Sequence, residues 1–369
     1  MERFRARLPY RTARGIKYRE DVTAGVTTAL VFGITGQDGS YLAEQLLEKG
    51  YEVHGAVRRL SVPNLSNIRR ILPHITLHDC DLTDQTSIDQ AVKESEPDEV
   101  YNLAAQSFVG VSFTQPAHTA EVTGLGALRV LEAVRRFAED ARVYQASSSE
   151  MFGSAPAPQH ESTAFHPRSP YGAAKVFAHH SAVLYREAYG MFVSCGILFN
   201  HESPRRGEEF VTRKISKWAA SLMVGRPYVL ELGDTGSRRD WGFAPDYTDL
   251  AWRIMQHDRG DDFVGATGVQ HSVEDFLVEA LRVAGTNPVS VQEWVRTRVG
   301  TNMRPADVTD LRGDAMKAKL VLGWEPRTSF PDLVRVMVHS DLAAIGGVAS
   351  ALSDGRPIFG AAVVSGTKG

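Results

Sequence analysis

Three glycines spaced by three, at positions 33, 36 and 39, constrain this chain more than any other feature of its sequence. Ahead of them, Ala29 to Phe32 is a short apolar run suited to a buried strand. Behind them, Leu42, Leu46 and Leu47 share one helical face before the stop at Gly50. A strand that passes into a helix across such a segment must turn sharply. The missing side chains also let a phosphate approach the exposed amides at the positive end of the helix dipole. A tight turn without a ligand would use the same glycines, and the spacing differs from the G-x-G-x-x-G of simple dehydrogenases, so the following strands must decide.

Those strands continue the pattern. Glu52–Val57, His74–His78, Glu99–Leu103, Arg142–Ala146 and Phe192–Leu198 are strand-sized runs separated by helical patterns, among them a long one from about Thr119 carrying Leu125, Leu128, Leu131 and Val134 on one stripe. The alternation indicates an α/β fold, a Rossmann-like doubly wound parallel sheet. Past Leu198 it becomes less regular, as expected of a smaller, interleaved C-terminal α/β substrate domain.

The residues at the strand ends carry the chemistry. An acidic residue about 20 positions after the glycines would hold the ribose 2′-hydroxyl of NAD. Here Arg58 stands nineteen positions past Gly39, followed by Arg59 and Ser61. A guanidinium with a nearby hydroxyl suits a 2′-phosphate, which favours NADP. Asp81-Leu82 can meet the adenine edge, or its neighbours can cap the helix beginning near Thr83. Ala104-Ala105-Gln106-Ser107 leaves room for a flat ring. The fifth strand runs into Ser147-Ser148-Ser149-Glu150, where the hydroxyls of Ser147 and Ser149 could equally satisfy a turn. Glu150 adds a carboxyl, a group able to act as general acid or base.

Tyr171 and Lys175 lie four apart, after a Ser169-Pro170 helix start, and so share one helical face. A nearby ammonium favours phenolate, which would lower the Tyr171 pKa and make it a base for an alcohol losing hydride. Further on, Arg205, Arg206, Arg213, Lys214, Arg238, Arg239 and Arg304 look like a diphosphate clamp drawn from separated segments. His179, His180 and His201 lack the spacing of a metal site, and none is expected.

Composition excludes several alternatives. A net charge of −3 over 369 residues gives no bulk attraction to nucleic acid or an anionic membrane. No apolar run would span a bilayer. Two separated cysteines, Cys80 and Cys195, fit a reducing compartment such as the cytoplasm. Residues 1–25 read as a basic, poorly ordered arm and 346–369 as a loosely docked, small-residue tail.

Several stretches together resemble one family. They are Gly33-Ile-Thr-Gly-Gln-Asp-Gly-Ser-Tyr-Leu-Ala-Glu44, Tyr101-Asn-Leu-Ala-Ala-Gln-Ser107, Arg168-Ser-Pro-Tyr-Gly-Ala-Ala-Lys175, Ile197-Leu-Phe-Asn-His-Glu-Ser-Pro-Arg-Arg-Gly207, Phe210-Val-Thr-Arg-Lys-Ile215 and Arg239-Asp-Trp-Gly242. From about Ala29 to Leu342 the chain is similar to the GDP-mannose 4,6-dehydratases of the extended short-chain dehydrogenase/reductase superfamily. The resemblance implies an NADP-binding domain over 26–198, with a returning segment near 240–268, and a mainly GDP-sugar-binding domain over 199–345. It implies NADP as cofactor, GDP-α-D-mannose as substrate, and GDP-4-dehydro-6-deoxy-D-mannose and water as products.

The roles it implies are specific. Tyr171, tuned by Lys175, takes the sugar 4-hydroxyl proton while hydride leaves C4; Ser148 polarises the 4-oxygen. Glu150 removes the C5 proton and helps the 6-hydroxyl depart as water, after which hydride returns to C6. Gly33, Thr35, Gly36, Gln37, Asp38 and Gly39 would hold the cofactor's phosphates. Arg58, Arg59, Ser61, Asp81 and Leu82 would hold its adenosine end. Leu103, Ala104, Ala105 and Ser107, with Tyr171, Lys175, His201 and Arg206, would complete its site. Ser107, Asn200, Val211, Lys214, Arg239 and Arg304 would contact the substrate. Family members are commonly dimers or tetramers, packed through the helices near 119–138 and 171–189.

The chain departs from the family at His118, which stands where a tyrosine is common, and in residues 1–25, which have no counterpart. A 4-epimerase or 4-reductase would share Tyr171 and Lys175 without needing Glu150. A dTDP-glucose-type dehydratase would usually place Asp where Ser149 stands. The remaining alternatives are a dehydratase of another GDP-sugar, such as a GDP-heptose, and a non-catalytic NADP-sensing protein.

Overall fold

Strand runs that are apolar at every position need cover on both faces, and the sheet supplies it. The computed structural model describes residues 10–12, 15–17, 26–287, 295–297, 308 and 310–346. Within the N-terminal arm, 10–12 pair antiparallel with 15–17; the rest of residues 1–25, and the tail beyond Gly346, lie outside the described residues. The main strands are β1 (Thr28–Phe32), β2 (Glu52–Val57), β3 (Ile75–Asp79), β4 (Glu99–Asn102), β5 (Arg142–Ser148) and β6 (Val193–Leu198). Further along come β7 (Asn200–Glu202), β8 (Leu230–Leu232), β9 (Arg238–Phe243), β10 (Asp262–Gly265), β11 (Gln270–Ser272) and β12 (Val295–Thr297).

Seven strands form one parallel sheet in the order β10-β6-β5-β4-β1-β2-β3. The order reverses between β1 and β4, which opens a crevice beyond their C-terminal ends. Alternate residues of β1 face opposite cores. Ala29 and Val31 pack with α1 (Gln37–Glu48) and α6 (Ala244–Met255), whereas Leu30 and Phe32 pack with α2 (Gln85–Ser95), α3 (Gly126–Phe137) and α4 (Pro170–Tyr189). The segment returning to this sheet is β10, which pairs with β6 after α6 has covered the first face.

The smaller unit has its own core. Trp218 of α5 (Val211–Met223), Phe276 of α7 (Val273–Val283) and Met337 of α9 (Phe330–Ala344) are fully buried together with Leu333 and Trp241. Helix α8 (Met316–Leu322) packs back on the sheet side through Ala318.

Three local differences from the sequence reading have simple causes. Helix α1 begins at Gln37, ahead of its leucine face, because its first turn is polar and starts immediately at Gly36. Helix α2 begins at Gln85 because the Asp84 carboxylate accepts from the amides of Thr86 and Ser87. The long helical pattern near Thr119 is divided into Pro116–Thr119, a π-helical stretch Ala120–Leu125, and α3. Leu131 and Val134 are buried on it, but Leu125 is exposed.

Candidate active site

The glycine turn sits where the sequence requires it. Gly33 has φ +82°, and a Cβ there would lie 3.0 Å from the Ala104 backbone. A Cβ on Gly39 would come within 2.2 Å of the Gly33 carbonyl oxygen, so the turn closes only on glycine. At Gly36 the nearest atom to an added Cβ is that same oxygen, at 3.2 Å. No side chain caps α1, whose amino end therefore opens into a cavity of about 1270 Å³ between the sheet's C-terminal edge and the smaller unit.

The first turn of α1 is tied to β7. His201 Nε2 donates to Asp38 Oδ2 at 2.8 Å, and His201 Nδ1 faces the Phe199 carbonyl at 2.7 Å. Both ring nitrogens meet acceptors, the arrangement an imidazolium satisfies. Burial works against its charge, but Asp38 and the Phe199 carbonyl outweigh that and raise the His201 pKa. Burial likewise pushes Asp38 up, yet His201 and Gln37 win and its pKa is lowered. Tyr247 stacks on the imidazole at 4.6 Å. The amide of Gln37 completes the joint, donating to His201 O at 3.1 Å and accepting from Ser203 at 2.8 Å.

Strand β5 extends to Ser148, two residues past the expected end, so the hydroxyls of Ser147 and Ser148 belong to the strand itself. Ser148 accepts from the Glu150 amide at 3.2 Å, and its hydroxyl stands near Tyr171. Ser169 caps α4 by accepting from Gly172, which sets Tyr171 in the first turn, with Lys175 one turn on. Ser148, Glu150, Tyr171 and Lys175 all line the cavity.

The ammonium does not acidify the phenol as the spacing suggested. Lys175 Nζ donates instead to Ala146 O at 2.7 Å and stands 5.8 Å from the Tyr171 ring centre. Burial dominates both groups. It pushes Tyr171 up to about 12, against the lowering effect of the nearby Ser148 hydroxyl, and pushes Lys175 down to about 8.

The cofactor and substrate candidates separate into two sets. Thr35, Asp81, Leu82, Leu103, Ala105 and Ser107 line the cavity, as do Arg58 at its exposed rim and Arg206 opposite. The Asp81 carboxylate accepts from the Thr83 amide and hydroxyl; burial raises its pKa, but Thr83, Arg58 and His118 outweigh that and lower it. Asn200, Val211 and Arg239 line the cavity as well, and Asn200 Oδ1 is buried without a hydrogen-bond partner among the described residues. Arg59, Ser61 and Lys214 are exposed and outside the cavity lining, because their loop and helix face turn to solvent. Arg304 lies outside the described residues.

Two features escaped the sequence reading. Glu202, 2% exposed, binds Arg206 Nε at 3.1 Å and accepts from Thr212 at 2.6 Å, fixing the arginine over Phe210. Phe108 meets Phe210 edge-on at 5.4 Å across the cavity wall. No local pattern marks either: Glu202 ends a strand and Arg206 lies in the turn after it, so their separation of four is not a helical pairing.

A family profile described as GDP-mannose 4,6 dehydratase matches residues 30–337. GDP-mannose 4,6 dehydratase 2 of Arabidopsis thaliana is 52% identical over 326 residues, 85% of this chain and 86% of that one. The chain belongs to the GDP-mannose 4,6-dehydratase family. The human family member is 46% identical over 338 residues, 85% of this chain and 91% of its own. Among solved structures, a dTDP-glucose 4,6-dehydratase from Streptomyces venezuelae, with NAD bound, superposes with a TM-score of 0.77 at 22% identity, covering 88% of this chain and 99% of that one. RMD from Pseudomonas aeruginosa, complexed with NADPH, gives 0.72 at 22%, covering 86% and 100%. These distant structures establish the shared fold. Within a GDP-mannose 4,6-dehydratase family member, the carboxyl of Glu150 is the group that a simple alcohol dehydrogenase would not need.

Proposed function

We propose that this chain converts GDP-α-D-mannose to GDP-4-dehydro-6-deoxy-D-mannose with loss of water. One observation carries the reading: Glu150 lines the same cavity as Tyr171, Lys175 and Ser148. Phenol, lysine and hydroxyl suffice to oxidise C4; a carboxyl is needed only if a proton must also leave C5.

The residues fit a nicotinamide dinucleotide. The glycine turn leaves the uncapped end of α1 open to a diphosphate, and the small side chains of Ala104 and Ala105 line the same cavity as Tyr171. When bound, the cofactor would supply a hydride acceptor for C4 and a positive ring favouring the Tyr171 phenolate while oxidised, and a hydride donor for C6 once reduced by the first step. Tyr171 takes the 4-hydroxyl proton, and Ser148, whose hydroxyl stands near the phenol, holds the 4-oxygen. Lys175 anchors the helix to β5 through Ala146 O and keeps a positive charge near the phenol. Once C4 is a ketone, the C5 proton is acidic. Glu150 removes it and returns a proton to the departing 6-hydroxyl.

Arg58 at the rim supports NADP over NAD, since a guanidinium there meets a 2′-phosphate rather than a free diol. Asn200, Val211 and Arg239 form the proposed GDP-sugar contacts. The apolar side chains of Leu125, Phe177 and Leu184 are 38, 44 and 56% exposed, which supports a homodimer or homotetramer packed through this helical face. Both cysteines are free and buried, and no described helix is long and apolar enough to cross a membrane, in keeping with a cytoplasmic enzyme.

The test is a panel of GDP- and dTDP-sugars incubated with the protein and NADP, with products weighed. GDP-mannose alone should lose one water. Loss of water from a dTDP-sugar, or from a GDP-heptose in preference to GDP-mannose, would overturn the substrate assignment.

A further inference from the structure

Helix α4 turns a third polar side chain toward β5. Tyr171, Lys175 and His179 follow one another at intervals of four and therefore share a face. Each is tied to a different residue of the strand. Tyr171 meets the Ser148 hydroxyl, Lys175 donates to Ala146 O at 2.7 Å, and His179 Nδ1 lies 3.0 Å from Ser147 Oγ. Ser147 itself lines the cavity.

His179 is only 4% exposed and packs edge-on against Phe165 at 5.1 Å. On its far side, Nε2 lies 3.8 Å from Asp262 Oδ2. Arg186 holds that carboxylate with two bonds, 3.0 and 3.2 Å long. An anion facing Nε2 keeps the ring proton there and leaves Nδ1 a lone pair, so the Ser147 hydroxyl must donate to it. Burial pushes the His179 pKa down to about 4, so the ring is neutral throughout the working range. Cys195 also borders the cluster, and the donor atoms of His179, Cys195 and Asp262 lie within 4.8 Å of one another. The guanidinium across both Asp262 oxygens occupies the charge position a metal ion would require, and at 3.8 Å the carboxylate faces His179 Nε2 as a charge rather than as a hydrogen-bond acceptor.

We propose that His179 is a positioning residue for the dehydration: oriented by Asp262, it accepts the Ser147 hydroxyl proton and sets the register of α4 on β5, and with it the placement of Tyr171 against Ser148. This rests on the dehydration reading above. Because His179 lies behind Ser147 and outside the cavity lining, its loss should slow chemistry while leaving substrate binding in place.

The experiment is a steady-state comparison of wild type, His179→Leu, His179→Asn, Ser147→Ala and the His179→Leu/Ser147→Ala double variant. His179→Leu should lower kcat about 10-fold with KM within about twofold, the split expected when only the transition state is misplaced. Ser147→Ala should match it, and the double variant should fall no further than either single. His179→Asn, which can present an amide oxygen near the Nδ1 position, should recover most of the loss. A kcat for His179→Leu within about twofold of wild type, multiplied losses in the double variant, or no recovery with Asn would each overturn the proposal. If His179→Leu does not fold, the decision passes to Ser147→Ala: undiminished kcat there overturns it equally. Wild type measured alongside separates the two readings. No dehydration by wild type removes both, whereas normal wild-type turnover with an unaffected His179→Leu removes only the positioning role.

Discussion

His201 Nε2 donates to Asp38 Oδ2 across 2.8 Å, joining residues 163 positions apart. The bond fixes the first turn of α1 to β7. Neither end of the cavity is therefore placed independently of the other.

Asp38→Asn should cost about 1–3 kcal/mol of stability, because it leaves the imidazolium without its anion. The sign with pH follows from the two shifts. The lowered Asp38 pKa contributes stability above its ordinary value of 3.8, and that is lost as pH falls through the folded value. The raised His201 pKa contributes fully below its ordinary 6.5, and that is lost as pH rises through the folded value. The gap between wild type and variant in denaturant melts should be widest between about pH 4 and 6.5 and narrow above. A gap independent of pH would contradict the ion pair.

Lys175 costs stability where Tyr171 needs it. A lysine whose pKa falls from 10.5 to about 8 on folding weakens the fold fully below pH 8, and the cost disappears as pH rises past 10.5. Lys175→Met should therefore stabilise the protein near pH 7 by on the order of 2 kcal/mol, less what Ala146 O loses, while abolishing turnover. Thermal melts at pH 7 and pH 10 check this, and the difference between proteins should shrink at the higher pH.

The glycines should divide by function. Gly39→Ala would force a Cβ against the Gly33 carbonyl and should destabilise by on the order of 3 kcal/mol. Gly36→Ala meets only one atom at 3.2 Å, and its φ of −70° suits alanine, so stability should stay within about 1 kcal/mol. Its methyl would instead stand at the open end of α1, and dinucleotide affinity, measured by calorimetry, should fall about 10-fold.

Much of this site was legible because its signals are local. The glycine turn, the Tyr171 and Lys175 spacing and the strand-end Glu150 each depend on residues close in sequence, and each lines the cavity. What local patterns could not supply was direction and depth. Lys175 reaches the Ala146 carbonyl rather than acidifying Tyr171, because the sheet buries both groups and desolvation outweighs their spacing. Arg59, Ser61 and Lys214 face solvent because the path of a loop and the rotation of α5 are set by tertiary packing. The Asp38–His201 joint and the Ser147–His179–Asp262 cluster span different elements, so no spacing rule reveals them.

Arg58→Ala should weaken NADP by about 10- to 100-fold, the worth of a charge-assisted contact to phosphate, and leave NAD little changed. Competitive titration of the two cofactors reads this directly. Equal losses for both would reassign the arginine to the shared diphosphate or to folding.

In the proposed reaction, hydride leaves C4 and returns to C6 of the same sugar within one cavity, with Glu150 working between the two steps. It is tested most directly by mass spectrometry of the product from GDP-mannose deuterated at C4. Wild type should yield a product lighter by one water with the deuterium at C6, and Glu150→Gln should bind the sugar but form less than about one hundredth as much. Deuterium lost to solvent, a C4 epimer of unchanged mass, or undiminished product from Glu150→Gln would contradict it.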